Sequence, residues 1–147
     1  EPCFDKLSAC LAKGICSIGA VKGFEIGDGF RSAEAFGSDN NDAFYRKEDG
    51  SIGKRTNHSG GVLGGISDGS RILLRAHVKP TPSIFKEQET VNRDGEEIAV
   101  RIKGRHDPVI VPRAVVVVES MAALVLADAL LANMGARMDH ILRFYQK

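Results

Sequence analysis

The sequence predicts an α+β fold within the broad α/β class, with antiparallel strands packed on core helices, and three observations support it. Apolar residues recur at three- and four-residue steps near the start of the chain. Ile72, Leu74, Ala76 and Val78 alternate with Arg71, Arg75 and His77. A long Val/Ala/Leu/Met stretch follows residue 113 and keeps a helical pattern. With 147 residues, 43% hydrophobic and 27% charged, the chain is sized for one ordinary domain.

The first helix is expected from Pro2 to about Ser17, because Phe4, Leu7, Cys10 and Leu11 follow helical spacing and proline suits a first turn. It stops near Gly19. AVKGFEIG then reads as a short strand running into the turn Gly27-Asp28-Gly29. Residues 30 to 57 are polar and aperiodic, so a long loop carrying a small hairpin at Asp49-Gly50 is expected, and loops of that length are usually functional or mobile. Five glycines fall in NHSGGVLGGISDG, residues 57 to 69, where a backbone must approach something closely or bend sharply.

Beyond the strand at 72–78, Lys79-Pro80-Thr81-Pro82 ends the run. Residues 86–92 and 96–102 predict a hairpin about Arg93-Asp94-Gly95. From about Ala114 to Met134 a core helix is expected, with Val117, Met121, Leu124 and Asp128 one turn apart and Gly135 as its stop. Glu119 and Asp128 are expected to cut the apolar run below a membrane-spanning length.

Charge and cysteines narrow the function classes. A formal net charge of +1 gives no global reason for a nucleic-acid partner, so any anion site must be local. Cys3, Cys10 and Cys16 form an odd set without zinc spacing, so neither a metal site nor a disulfide framework is expected, and a reducing compartment follows. The chain opens at Glu1-Pro2 without an apolar leader, which predicts a processed chain, an engineered one or a piece of a longer one.

Three segments hold candidate chemistry. NHSGG lacks the glycine two residues before serine that a nucleophile elbow needs, and the glycines match neither the Walker loop nor the dinucleotide fingerprint. A structural turn and a ligand cradle both remain open for it. KPTPS offers Lys79, Thr81 and Ser83 between two rigid prolines, either as an ordinary strand exit or as a preorganised anion site. KGRHDP holds Arg105, His106 and Asp107 between Gly104 and Pro108, with Arg101, Lys103 and Arg113 nearby in sequence. It reads equally as a local anion site and as a solvated loop with an internal Arg–Asp pair.

Taken in order, NHSGGVLGGIS, KPTPSI, GEE with KGRHDP, PRAV and ESMAALVLAD resemble the carboxy-terminal part of the chorismate synthase family. EPCFDKL and SIGAVKGFEIGDGF ahead of them match as well, so the resemblance covers essentially the whole chain. It implies part of a β-α-β sandwich and a homotetrameric, cytoplasmic lyase with no nucleic-acid or membrane partner. The implied reaction converts 5-enolpyruvylshikimate 3-phosphate to chorismate by 1,4-anti elimination of phosphate and the C6 pro-R hydrogen, the last common step of the shikimate pathway. The implied cofactor is reduced FMN, joined by NADPH only where a flavin reductase activity is present.

Position by position, the resemblance implies FMN contacts at Gly19, Ala20, Gly64, Lys79, Pro80, Thr81, Pro82, Ser83 and Arg105. It implies proton transfer at flavin N5 for Asp107 and assigns no role to His106. Val109 stands where the family usually has cysteine, and Val116 where it has proline. The family's GESHG-type motif, its two histidines and its substrate-gripping arginines have no counterpart here. Residues 1–147 are therefore expected to be a single carboxy-terminal domain of a longer protein, inactive alone and exposing apolar surface; the alternative is a non-catalytic structural, oligomerising or FMN-binding module.

Overall fold

The computed structural model describes residues 2–146, with Glu1 and Lys147 outside the description. Its first helix, α1 (Leu7–Cys16), starts later than the Pro2 that the sequence predicts. Asp5 is the reason: its φ of 43° is left-handed and breaks the helical path. No side chain caps the new start, and the Leu7 N–H instead donates to the carbonyl of Gly65 at 2.8 Å. Phe4, expected on the buried stripe, is 84% exposed. Leu7, Leu11 and Ile15, four residues apart, form that stripe and are buried with Val21 as the core.

Strand β1 (Val21–Ile26) is followed by a 3-10 helix (Gly29–Glu34) and by the hairpin β2 (Phe44–Arg46) and β3 (Ile52–Lys54). The glycine-rich segment folds into a tight pair, β4 (Val62–Leu63) and β5 (Ile66–Ser67). Strand β6 (Leu74–Val78) pairs antiparallel with β1, from Val21 opposite Val78 to Ile26 opposite Leu74, with an irregularity between Val21 and Gly23. Strands β7 (Gln88–Val91) and β8 (Glu97–Val100) form the expected D-G hairpin, inside the predicted bounds. Its turn is organised by the Asn92 carboxamide oxygen, which accepts from the N–H groups of Asp94 and Glu96. Among the described residues the strands thus make four separate two-stranded sheets.

The glycines of residues 57–69 find their reason at one crossing. Gly27 and Gly60 both have positive φ, and a Cβ on Gly27 would fall on the His58 carbonyl oxygen, while one on Gly60 would fall on the Gly27 backbone nitrogen. The bend after β1 and the glycine-rich segment therefore touch backbone to backbone. A second close approach occurs at Gly14, where a Cβ would lie 2.8 Å from Val125 Cγ2. That contact seats helix α2 (Val111–Met134) on α1.

Helix α2 corrects two expectations. It begins at Val111, with Pro112 in its first turn, and runs 24 residues, so that its mean hydropathy of 2.2 over an 18-residue window satisfies the length and composition of a membrane span despite Glu119 and Asp128. Two carboxylates do not outweigh so many Val, Leu and Ala side chains. Nor is α2 a buried core helix in this chain: none of its residues is buried, and Val116, Leu124 and Leu131 are 59%, 65% and 66% exposed. One strip, through Met121 and Val125, meets α1; the opposite strip is apolar and uncovered. Gly135 ends α2 at φ −88°, and an unpredicted amphipathic helix α3 (Met138–Tyr145) follows.

The Gly60 crossing carries a stability prediction. Gly60→Ala forces a side chain into backbone at a left-handed position and is expected to destabilise by about 3 kcal/mol or more. Gly69→Ala, also at positive φ but with nothing within 4 Å of where its Cβ would stand, is expected to cost about 1 kcal/mol. Urea unfolding of the two variants side by side checks the contrast; equal losses would mean that the crossing is not tight.

Candidate functional site

The ladder between β1 and β6 does not stop at Val78. The Lys79 N–H donates to the Ala20 carbonyl at 2.9 Å, so Gly19-Ala20 and the start of KPTPS meet at one end of the strand pair. Ala20 has a φ of 70°, a left-handed conformation that costs a residue with a Cβ roughly 1–2 kcal/mol. Such strain persists only where surrounding contacts hold it, and here it turns the chain from α1 into β1. A Cβ built at Gly19 has open space around it.

Along the KPTPS exit, Lys79, Pro80 and Pro82 are exposed, while Thr81 and Ser83 are half-buried. The Thr81 hydroxyl is the telling atom. Its Oγ1 is buried and has no hydrogen-bond partner among the described residues, a state that costs free energy unless something else satisfies it. The prolines flanking it hold the backbone, and Gln88 Nε2 donates to the Pro82 carbonyl at 3.0 Å, tying β7 to the exit.

The KGRHDP loop reaches the same region through His106. Its ring meets Phe85 edge-on, with centroids 4.5 Å apart and planes at 80°. Nearby, Asp107 Oδ2 accepts from Arg113 Nη1 at 2.9 Å. Asp107 thus pairs outward with Arg113 of α2, and the Arg–Asp pair expected inside the loop is not formed among the described residues. Arg105 is exposed and makes no ion pair among the described residues.

Gly64 is not brought to that end. It sits in the β4–β5 turn, next to Gly65, whose carbonyl takes the first N–H of α1. Gly19 and Ala20 follow the far end of α1, and ten helical residues span about 15 Å. The chain therefore assembles Gly19, Ala20 and Lys79 to Ser83 at one end, links the Arg105–Asp107 loop to it through Phe85, and leaves Gly64 at the other.

A second polar cluster was not anticipated from the sequence. Lys54 Nζ donates to Asp68 Oδ2 at 2.6 Å, Ser59 Oγ at 2.9 Å, and Asn57 Oδ1 and Asp42 Oδ2 at 3.3 Å each. Asp42 also accepts from the Thr56 hydroxyl and the N–H groups of His58 and Ser59. Burial pushes the Asp42 carboxyl up, but the donors of Ser59, Thr56 and His58 overcome it and hold the group well below the usual carboxylate range. Asp68 is likewise lowered, because Lys54 and Ser70 outweigh its burial, and Lys54 is raised because the two carboxylates outweigh its own. The cluster pins the 30–57 loop to the glycine-rich segment, and His58 Nδ1 lies 2.6 Å from Asp28 Oδ2 to extend it to the bend after β1. The serine and histidine of NHSGG, which invite a hydrolase reading in the sequence, are held in this cluster with Lys54 and Asp28. No periodicity or spacing in the sequence pairs the GSDNND run with NHSGG; the cluster joins residues 14 to 17 apart.

Taken together, the chain is an α+β segment with a rigid polar exit and an adjacent arginine loop suited to an anionic ligand. The family model of chorismate synthase matches residues 1–131, and the chain belongs to the chorismate synthase family. Chorismate synthases of Lachnoclostridium phytofermentans and Agathobacter rectalis are 67% and 65% identical over all 147 residues, and that of Chloroflexus aggregans is 54% identical over 139. The chain spans about 40% of the length of the first two relatives and 38% of the third. Among solved structures, a crystal structure of chorismate synthase aligns with a TM-score of 0.69 and 35% identity, covering 88% of this chain and 32% of that one.

The Lys54 cluster predicts a pH response. Its lowered carboxylates contribute stability that is complete above the unfolded aspartate range, about pH 4, and is lost as pH falls below it; the raised Lys54 keeps its share until pH climbs past 10.5. Lys54→Met strands two carboxylates and is expected to destabilise by about 3 kcal/mol at pH 7. The deficit should shrink on acidification, as read by urea midpoints at pH 7 and pH 3.5. An unchanged deficit would assign the loss to packing instead.

Proposed function

We propose that this chain is the FMN-binding portion of a cytoplasmic, homotetrameric chorismate synthase, a carbon–oxygen lyase acting on 5-enolpyruvylshikimate 3-phosphate. The observation that carries the reading is the buried Thr81 hydroxyl, unpartnered among the described residues, between Lys79 and Ser83 at the end where Ala20 meets Lys79. A phosphorylated flavin supplies acceptor oxygens for such a donor. The residues present fit the group, and Gly19, Ala20, Lys79, Pro80, Thr81, Pro82, Ser83 and Arg105 would hold it, whereas Gly64 lies away from this end.

The chemistry asks for fixed positive charge. The C6 pro-R hydrogen is removed, the phosphate departs with the electrons of its carbon–oxygen bond, and a new double bond forms with no net redox change. Reduced FMN, when bound, supplies the electron-rich partner the family requires; NADPH enters only where flavin reduction accompanies the lyase. Arg105 and Lys79 would supply the positive charge that stabilises anionic oxygens through charge-assisted hydrogen bonds. Pro80 and Pro82 remove ordering cost from the binding loop. Asp107 would hold or pass a proton at flavin N5, its carboxylate tied to Arg113 and its neighbour His106 packed on Phe85.

A narrower reading, that the 147 residues act only as a structural or FMN-binding half, is favoured for the chain on its own by the uncovered apolar strip of α2. Both agree that this stretch alone makes no chorismate.

Two experiments test the proposal. A chimera in which this chain replaces the matching stretch of the Lachnoclostridium phytofermentans synthase is expected to make chorismate from substrate and reduced FMN; loss of turnover in a folded chimera would sink the reading. In the same chimera Arg105→Ala is expected to weaken FMN binding roughly 10- to 100-fold, the value of a charge-assisted bond, as read by flavin fluorescence. Unchanged affinity would remove Arg105 from the cofactor site.

A further inference from the structure

We propose that Arg113 is the positioning residue for Asp107, and that two arginines divide the work of this loop: Arg105 faces the anion while Arg113 aims the carboxylate. The inference rests on the proton-handling role given to Asp107 above. It assigns a task to a side chain outside the set implied by the family resemblance.

The geometry is asymmetric in a useful way. Arg113 Nη1 donates to Asp107 Oδ2 at 2.9 Å, and Oδ1 has no hydrogen-bond partner among the described residues. One oxygen is thus fixed and the other is left to exchange a proton. Beyond the contacts of the His106 ring with Phe85 and with the Ile102 carbonyl at 3.3 Å, the loop adds little restraint of its own. Residues 101–110 contain no helix or strand, and Gly104, at φ 134°, has open space where a Cβ would be. Arg113, by contrast, stands in the first turn of α2, where its N–H donates to the Ile110 carbonyl at 3.1 Å. The carboxylate is thereby referred to helix α2.

Local stability does not explain an arginine at that place. A cation in the first helical turn opposes the macrodipole. The pair is also open to solvent, with side chains 76% and 42% exposed, and such pairs contribute little to folding. What the contact does accomplish is orientation, which matters to a proton transfer and not to the fold. Arg105 cannot do both jobs, because a guanidinium paired with Asp107 would meet an incoming phosphate already neutralised.

The test is a double-mutant cycle in the chimera described above. Arg113→Met is expected to lower kcat roughly 10- to 100-fold while KM and the FMN Kd stay within about threefold, and Arg113→Lys to recover part of the loss. Asp107→Asn is expected to lower kcat at least as far, and the double variant to be no slower than Asp107→Asn alone, because the two residues act as one unit. A double variant slower by the full Arg113→Met factor would overturn the proposal, and so would a tenfold loss of FMN affinity with kcat intact. Full turnover by Asp107→Asn would instead sink the proton-handling role itself. If Arg113→Met unfolds, thermal melting shows it, and the cycle is run with Arg113→Lys, for which additive losses again count against the pairing.

Discussion

The antiparallel ladder between β1 and β6 is the constraint on which the rest of the chain depends. At one end it continues through the Lys79 N–H to the Ala20 carbonyl, and so joins the helix-to-strand turn to the KPTPS exit. At the other end the Gly27 N–H reaches the Leu73 carbonyl and the Leu73 N–H reaches that of Gly60, which brings in the glycine-rich segment. Backbone hydrogen bonds in a ladder share one register, so displacing either end moves both. The candidate ligand end and the architectural end are thus coupled through five residues of strand.

Around this ladder the chain distributes its polar groups in two ways. Near Lys54 the charged groups are matched by neighbours, and the carboxylates are held ionised despite burial. Near Thr81 and Arg105 the groups are left without protein partners among the described residues. A satisfied cluster rigidifies, whereas a buried hydroxyl without a protein partner, as at Thr81, leaves a donor for the ligand proposed above. The distinction separates two segments that look equally reactive when written as NHSGG and KPTPS.

The apolar strip of α2 follows the same logic for nonpolar surface. Val116, Leu124 and Leu131 are half exposed or more in a helix whose other strip rests on α1. This chain covers only 40% of the length of its relatives, and a helix this hydrophobic is stable in water only with both faces covered. In the reading proposed above, the rest of the protein would supply such cover.

Local patterns in the sequence determined most elements: the α1 stripe, the β1 and β6 runs, both D-G hairpins and the Gly135 stop are encoded in residues a few positions apart, where periodicity and turn chemistry act. Sequence blocks also carried the family and its implied cofactor residues. Tertiary structure alone decided the late start of α1 at Leu7, the Gly27–Gly60 crossing, the Lys54 cluster and the choice of Arg113 over Arg105 as the partner of Asp107. Helix α3 belongs between the two, since Met138, Ile141, Leu142 and Tyr145 carry helical spacing that the glycine stop overshadowed. The physical reason is range: spacing along a chain reports which face a side chain takes, whereas hydrogen bonds across 14 to 30 residues depend on how separate segments meet.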